Sequence, residues 1–505
     1  MAIRFRAICG SVPARLSNAM KTIAKHTRTA RHTTSFCAIL AMLMICLGFA
    51  AQTQVTTSGP FNKIWTVALS QFNQSDETGN SLTQLSNGTI VVGGDDGNQP
   101  NYCQPNYGGA WLVAVTPSGG SNVWQWLYST CASDAQTTGY VAHTTDGGFI
   151  LAGGDFDNPA CALGCGWFAK FDSNGSIAWQ HDLTGAYAAG AIQIEPTADG
   201  GYIAVGNQTD QTYILQALIM KISATGELQW SAAFPETDQS FPGAFTGGNF
   251  TFESFQQTRD GGYIVSGVAD AHFRSGYADV LTLMKLDANA NVQWSKAYYG
   301  SNWRSGPAGD ARYPIFQTSD GGYVLSGTVQ QRTYPFEQLF FLMKLDARGR
   351  VIWQKGYGGT NGYYHVSSES AGAVATADGG YILAGQSDIF LQGANGWMLK
   401  TDGSGNILWQ KTYTGLTTND GNVFEQVIQT SDGGYAVTGS SWTSDLTYGG
   451  PGLWVIKTDS DGNIGGCSCM QNIKATFARS TPNLIFSPVN IQGTTTSITP
   501  TTIYP

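Results

Sequence analysis

Short apolar runs recur along this chain, and the same polar turn precedes most of them. The turn reads Asp-Gly-Gly followed by Tyr or Phe and begins at Asp146, Asp199, Asp260, Asp320, Asp378 and Asp432. A degenerate seventh copy stands at Asn87-Gly88-Thr89-Ile90. Successive Asp-Gly-Gly turns lie 53 to 61 residues apart. Before each comes a run such as Phe255-Gln256-Gln257-Thr258, and after each an apolar run such as Tyr263-Ile264-Val265-Ser266-Gly267. Asp-Gly between two such runs predicts a β-hairpin, because Gly accepts the positive φ that the turn needs. A second hairpin follows in every repeat, typified by Leu283-Met284-Lys285-Leu286-Asp287, a four-residue turn, and Val292-Gln293-Trp294. The Lys-to-Trp distance is nine residues in five copies: Lys170/Trp179, Lys221/Trp230, Lys285/Trp294, Lys344/Trp353 and Lys400/Trp409.

Two hairpins give four strands, which is one blade of a β-propeller, and seven copies predict an all-β, seven-bladed ring. A parallel β-helix uses much shorter repeats, and a sandwich does not repeat its sequence seven times. The two ends of the chain differ from the pattern in complementary ways. The first copy keeps Trp124 but has Val115 in place of Lys, and the last has Lys457 but Gly466 where Trp is due. The missing Trp strand reappears at the other end, since Asn62-Lys63-Ile64-Trp65-Thr66 resembles Asn406-Ile407-Leu408-Trp409-Gln410. Residues 61–69 are therefore expected to be the outer strand of blade 7, closing the ring and removing an exposed edge. Each repeat Trp is expected to pack on a neighbouring blade, with the repeat Asp and Lys as turn-forming and blade-surface groups.

Composition agrees with short strands and tight turns: charged residues are 12%, Gly is 64 of 505 and aromatics are 12%. The first 50 residues hold seven basic residues and no acidic one, and their apolar run from Phe36 to Ala50 is too short for a comfortable membrane span. Gly48-Phe49-Ala50 has small residues where a signal peptidase inspects the chain, so residues 1–50 are expected to be an export signal cut after Ala50, with Met20 as an alternative start. A short linker, 51–60, the propeller, 61–469, and a Thr/Pro-rich tail, 470–505, complete the expected organisation. The tail reads as a flexible spacer. Without the leader, 19 basic residues stand against 35 acidic, a net charge of −16 that argues against nucleic acid and anionic membranes as partners. Secretion, or a periplasmic or cell-surface location, and a monomer without a transmembrane segment are expected. Six Cys remain after the leader: Cys103, Cys131, Cys161, Cys165, Cys467 and Cys469. An even count in an exported chain points to disulfides, with fifteen pairings open. Two staples among the first four are the preferred reading, against a Cys₄ zinc site.

The run from Leu286-Asp287 to Trp294, with its equivalents, resembles the tryptophan-bearing blades of the PQQ-like (quinoprotein-like) propellers. The whole repeat also resembles exported bacterial and archaeal proteins with blades of the form T-S-D-G-G-Y…K-T-D-x-x-G-N-x-x-W. The resemblance covers roughly residues 61–466 and implies the fold, not an activity. The adjacent Cys-Cys pair of quinoprotein dehydrogenases has no counterpart here, the nearest being Cys467-Ser468-Cys469, and no Glu/Asn/Asp metal set can be placed. No cofactor and no metal are therefore expected. Asp459-Ser460-Asp461-Gly462-Asn463 has the look of a calcium loop, but Asp172-Ser173-Asn174-Gly175 has the same shape with fewer carboxylates, so both read as turns.

In this topology both repeat-constant turns lie on one face of the ring, and the variable links 94–110, 154–166, 234–252, 299–313, 328–338 and 440–451 lie on the other. Variable loops on a rigid scaffold read as a binding face. The candidate binding residues are Tyr107, Phe245, Trp303, Arg304, Tyr334, Tyr363, Tyr364, His365, Trp442 and Tyr448, a set that suits a protein or glycan surface. The catalytic candidates are Glu253 and Glu425, each seven residues before its Asp-Gly-Gly turn, in inner strands whose side chains can approach the channel. Paired carboxylates hydrolyse glycosides when about 5–10 Å apart. The expected function is a non-enzymatic exported binding module for protein or glycan. A secreted hydrolase or lyase at the channel mouth and an envelope assembly scaffold are the alternatives.

Overall fold

The two-hairpin repeat is present in a computed structural model of the chain, which describes residues 65–69, 77–96, 110–116, 122–128, 136–155, 165–184, 189–209, 214–234, 250–273, 276–299, 303–305, 313–331, 338–358, 370–387, 395–413, 421–442, 451–464 and five short strands between 470 and 502. These residues form seven antiparallel sheets, the blades of an all-β propeller. Blade 4 shows the plan: Phe250–Gln257, Tyr263–Phe273, Gly276–Leu286 and Val292–Tyr299 pair in chain order from the inner strand to the outer. In blade 5 two short pieces, Trp303–Ser305 and Ile315–Gln317, pair with Tyr323–Gln331. The outermost position of blade 7 is taken by Trp65–Leu69, paired antiparallel with Pro451–Thr458 from Trp65↔Lys457 to Leu69↔Leu453.

The apolar core lies between blades rather than within them. Both faces of a blade's middle strands are apolar, so these strands are buried against a neighbour on either side, while the outer strands stay partly exposed. Seven buried clusters result, one for each pair of neighbouring blades. One of them joins Leu82, Val92 and Trp111 of blade 1 to Ala436, Leu453 and Val455 of blade 7, so the first and last blades pack like any other pair.

The Asp-Gly-Gly turn works through all three residues. In blade 4, Asp260 Oδ1 accepts hydrogen bonds from Thr258 Oγ1 at 2.5 Å and Gly262 N at 3.1 Å. Gly261 has φ +81°, and a Cβ on Gly262 would stand 2.2 Å from the carbonyl oxygen of Leu286 in the second hairpin. The repeat Lys is not a blade-surface group, contrary to the sequence reading. Its side chain is buried and runs under the first hairpin: Lys285 Nζ donates to Asp260 Oδ1 at 3.1 Å and to Leu286 O at 2.9 Å. The same Asp–Lys ion pair recurs in blades 2 to 7, joining Asp146 to Lys170, Asp199 to Lys221, Asp260 to Lys285, Asp320 to Lys344, Asp378 to Lys400 and Asp432 to Lys457. These lysines are only 2–7% exposed, so an ammonium placed there requires a carboxylate. Blade 1 lacks both partners: Asn87 stands in the turn, and the strand register places Ala114, not Val115 as the spacing suggested, at the Lys position opposite Trp124.

The repeat Trp packs on the next blade, as expected. Gly349, Gly405 and Gly462 have positive φ in the outer turns of blades 5, 6 and 7. A Cβ on Gly349 would stand 2.9 Å from the Trp294 ring of blade 4, and Gly405 meets Trp353 and Gly462 meets Trp409 in the same way. Beside these contacts Tyr298, Tyr357 and Tyr413 donate their hydroxyls to the carbonyls of those glycines at 2.7–2.8 Å. The turn at Asp459 is organised like that at Asp287: each aspartate accepts from main-chain amides two and four residues on.

The C-terminal segment differs from the flexible spacer that its composition suggests. Met470–Asn472 pairs with the outer strand of blade 6, Ala478–Arg479 with that of blade 5, and Ile485–Val489 with that of blade 4. Thr494–Thr495 then pairs with blade 3 and Thr499–Thr502 with blade 2. The physical reason is that an outer strand presents unpaired main-chain groups, and an extended Thr-rich segment can satisfy them.

Two measurements test these features. The carboxyls of Asp146, Asp260 and Asp378 are raised by desolvation but held down to about 2 by hydrogen bonds from the repeat Thr and Lys, and the Lys221 hydrogen bond leads in holding Asp199 at about 2. A lowered folded value stabilises above the unfolded value of 3.8, and that contribution is lost as pH falls through about 2. Thermal melts followed by circular dichroism should therefore change little from pH 7 to about pH 5 and fall steeply between about pH 4 and 2. The variant Asp260→Asn should melt lower at pH 7 and lose less on acidification. Deleting residues 470–505 should leave the β-sheet spectrum but cause concentration-dependent association in light scattering, because five outer edges are uncovered. A truncated protein that stays monodisperse would show that the segment does not guard those edges.

Candidate functional site

The inner strands of neighbouring blades stand beside one another around the central channel. Each of six carries a β-bulge seven residues before its turn, placing Asn80, Gly139, Ile192, Glu253, Ala371 and Glu425 as the extra residues. A bulge re-aims the chain near the strand's entry, the end joined to the variable links, and pairing resumes on its far side. An inner strand is also an edge, and its free amides need acceptors. Side chains of the adjoining blade supply them. Leu82 N donates to Gln426 Oε1 at 2.6 Å, Val141 N to Ser81 Oγ at 3.0 Å and Phe255 N to Gln193 Oε1 at 3.0 Å, all three acceptors standing six residues before their turns. Nearer the turn face, Ser431 N donates to Gln84 Oε1 and Ala377 N to Gln429 Oε1, each at 2.8 Å. The wall of the channel is thereby fixed by hydrogen bonds across blades.

Within this wall lies a cavity of 410 Å³ bounded by the inner strands of blades 2 to 7. That size falls within the roughly 300–1,000 Å³ usual for small-molecule sites. Tyr140, Gln193, Glu195, Glu253, Gln256, Gln257, Phe316 and Gln426 supply its polar and aromatic lining, and Ala373 and Val374 an apolar side. Glu195 Oε1 accepts from the Tyr140 hydroxyl at 3.1 Å and, more weakly, from Gln193 Nε2 at 3.4 Å. Burial pushes the Glu195 carboxyl above its ordinary value of 4.5, outweighing these two hydrogen bonds. Glu253 is 8% exposed and accepts from Thr251 Oγ1 at 2.7 Å.

Of the two catalytic candidates, Glu253 is in the cavity wall, while Glu425 occupies the equivalent bulge of blade 7, where Gln426 and Val427 form the wall. Glu195 was missed because it stands four residues before its turn rather than seven. Counting back from the turn in twos puts it on the same strand face as Gln193, and that alternation was the available signal. Trp303, Arg304, Trp442 and Cys165 lie in strands, but their side chains are outside the described residues. Tyr107, Phe245, Tyr334, Tyr363, Tyr364, His365 and Tyr448 lie wholly outside them, as do Cys103, Cys131, Cys161, Cys467 and Cys469. Among the described residues no group of three or more His, Cys, Asp or Glu is placed to hold a metal ion, and no helix is long and apolar enough to cross a membrane.

No family model and no curated protein matches the chain. Several solved structures are similar to the chain over most of its length. An α-L-arabinanase of Penicillium chrysogenum, complexed with arabinobiose, is 11% identical over 81% of this chain and 98% of its own, with a TM-score of 0.41. A protein of unknown function from Dyadobacter fermentans is 10% identical over 79% and 98%, with a TM-score of 0.37. The extracellular domains 1–2 of Drosophila semaphorin 1b are 8% identical over 80% and 87%, with a TM-score of 0.38.

The cross-blade hydrogen bonds generate a prediction of their own. Gln426→Ala leaves the buried Leu82 amide without its acceptor and should cost about 1–3 kcal/mol in urea unfolding, with the denaturant slope unchanged.

Proposed function

We propose that this chain is an exported binding module that takes a small polar ligand, or a polar group of a protein or glycan, into its channel from the variable-link face. The observation that carries the reading is the cavity of 410 Å³, whose amide and carboxyl groups stand on strands tied to one another across blades. A wall held in this way is preorganised, so little ordering cost opposes binding. The variable links reach the same end of the inner strands as the bulges, and the aromatic residues they carry would extend the site outward. A monomer secreted to the periplasm, cell surface or medium, with the disulfides its six Cys allow, completes this reading. The pairing of Trp65–Leu69 with blade 7 supports the view that the first strand closes the ring. A second reading is favoured by one feature, that Glu195 and Glu253 share the cavity. A neutral Glu195 would serve as general acid and Glu253 as base or nucleophile in glycoside hydrolysis.

Residues 51–505 can be screened against a glycan array and a detergent-solubilised envelope extract. Two variants accompany them: one with links 299–313 and 440–451 shortened, and Val374→Trp, which fills the cavity. Binding lost in Val374→Trp, with the circular dichroism spectrum intact, is the expected result. Equal binding by the wild type and Val374→Trp places the ligand elsewhere. Turnover of a captured glycan, abolished by Glu253→Gln, would favour the hydrolase reading.

A further inference from the structure

We propose that the channel cavity receives a cationic group, an alkylammonium or a guanidinium, against Glu195. This rests on the channel being the binding site. Its starting point is a contrast within the molecule. The six buried repeat lysines each have an aspartate within 3.0 Å. Among the described residues Glu195 has no such partner: those lining the cavity include two carboxyls, Glu195 and Glu253, and no Lys, Arg or His. Its hydrogen bonds come from two neutral groups, the Tyr140 hydroxyl and the Gln193 amide, and both fall on Oε1. Among the described residues no donor reaches Oε2.

A half-buried carboxyl without a counter-charge leans toward its protonated form, and a ligand cation favours the carboxylate where the protein does not. An anion would meet two acids and no base. A neutral polyol could hydrogen-bond with the wall but would leave the charge uncompensated. The rings of Tyr140 and Phe316 in the wall add surfaces that favour a cation. The same group could arrive as a free amine or as a Lys or Arg side chain of a protein partner. Glu195 is met by Tyr140 from blade 2 and Gln193 on its own strand, with Glu253 in the same wall, so among the described lining residues no positive charge competes with the ligand.

Isothermal titration of residues 51–505 with agmatine, with the peptide acetyl-Gly-Arg-Gly-amide and with xylose, at pH 5 and pH 8, tests the assignment. Binding of a cation should tighten from pH 5 to pH 8, because the raised Glu195 carboxyl gives up its proton as pH rises, and binding to the protonated form should release a proton to the buffer. Glu195→Gln keeps the shape and both hydrogen bonds and should weaken it by at least about tenfold, with the pH dependence lost. Agmatine binding alone identifies a free amine as the ligand, and peptide binding identifies an inserted side chain. The assignment is overturned if neither cation binds better than xylose, or if Glu195→Gln binds them as the wild type does. Xylose or array glycans bound in the channel without any cation would sink the assignment and leave the channel-binding reading standing. Ligands that Val374→Trp binds unchanged would overturn both.

Discussion

A buried ammonium group organises this ring. Each repeat lysine sends its stem beneath the first hairpin of its blade and reaches the aspartate that forms the turn. One contact therefore fixes the conformation of one hairpin and its position against the next. The two glycines are consequences of the same arrangement. The first permits the turn, and the second removes a side chain that would strike the carbonyl and ammonium groups lying beneath it. The aspartates themselves remain more than half exposed in five of the six blades, so their ion pairs contribute less through Coulomb attraction than through sparing a buried ammonium from standing without a carboxylate.

Much of this was legible in the residues. The recurrence of Asp-Gly-Gly and the constant distance from Lys to Trp encode two hairpins per blade, because each marks a position with a stringent local requirement. The ion pair was legible too, because the one copy without the repeat Lys also has Asn87 for Asp. Reading that lysine as a surface group followed its usual preference for water and overlooked that it recurs between apolar residues, as in Leu283-Met284-Lys285-Leu286. The Glu253 position was readable from its spacing. Glu195 occurs in one blade only, so the repeat pattern does not announce it, and only the alternation along its own strand sets it beside Gln193. The C-terminal pairings were hidden for a related reason. They are two to five residues long, and their register comes from the receiving strands rather than from any pattern in the segment itself.

The channel and the rim follow different logic. At the rim, Trp, Tyr and Gly of successive blades interlock by shape, which explains why the outer turns hardly vary. In the channel, the interlocking is polar and passes through single side chains such as Gln193, Gln426 and Ser81. Those side chains hold neighbouring main-chain amides and need not be alike in every blade. Chemical variety can therefore accumulate around the channel without loosening the ring, which is what a site requires of its scaffold.

The C-terminal segment crosses the blades in the order 6, 5, 4, 3, 2, opposite to the order in which the chain built them. During synthesis its pairing sites are all made before it emerges, so it can be laid down only on blades that already exist. Peeling that starts at blade 2 would reach blade 6 last. The segment thus gives a ring of near-equivalent blades a direction, with one sector secured last and loosened first.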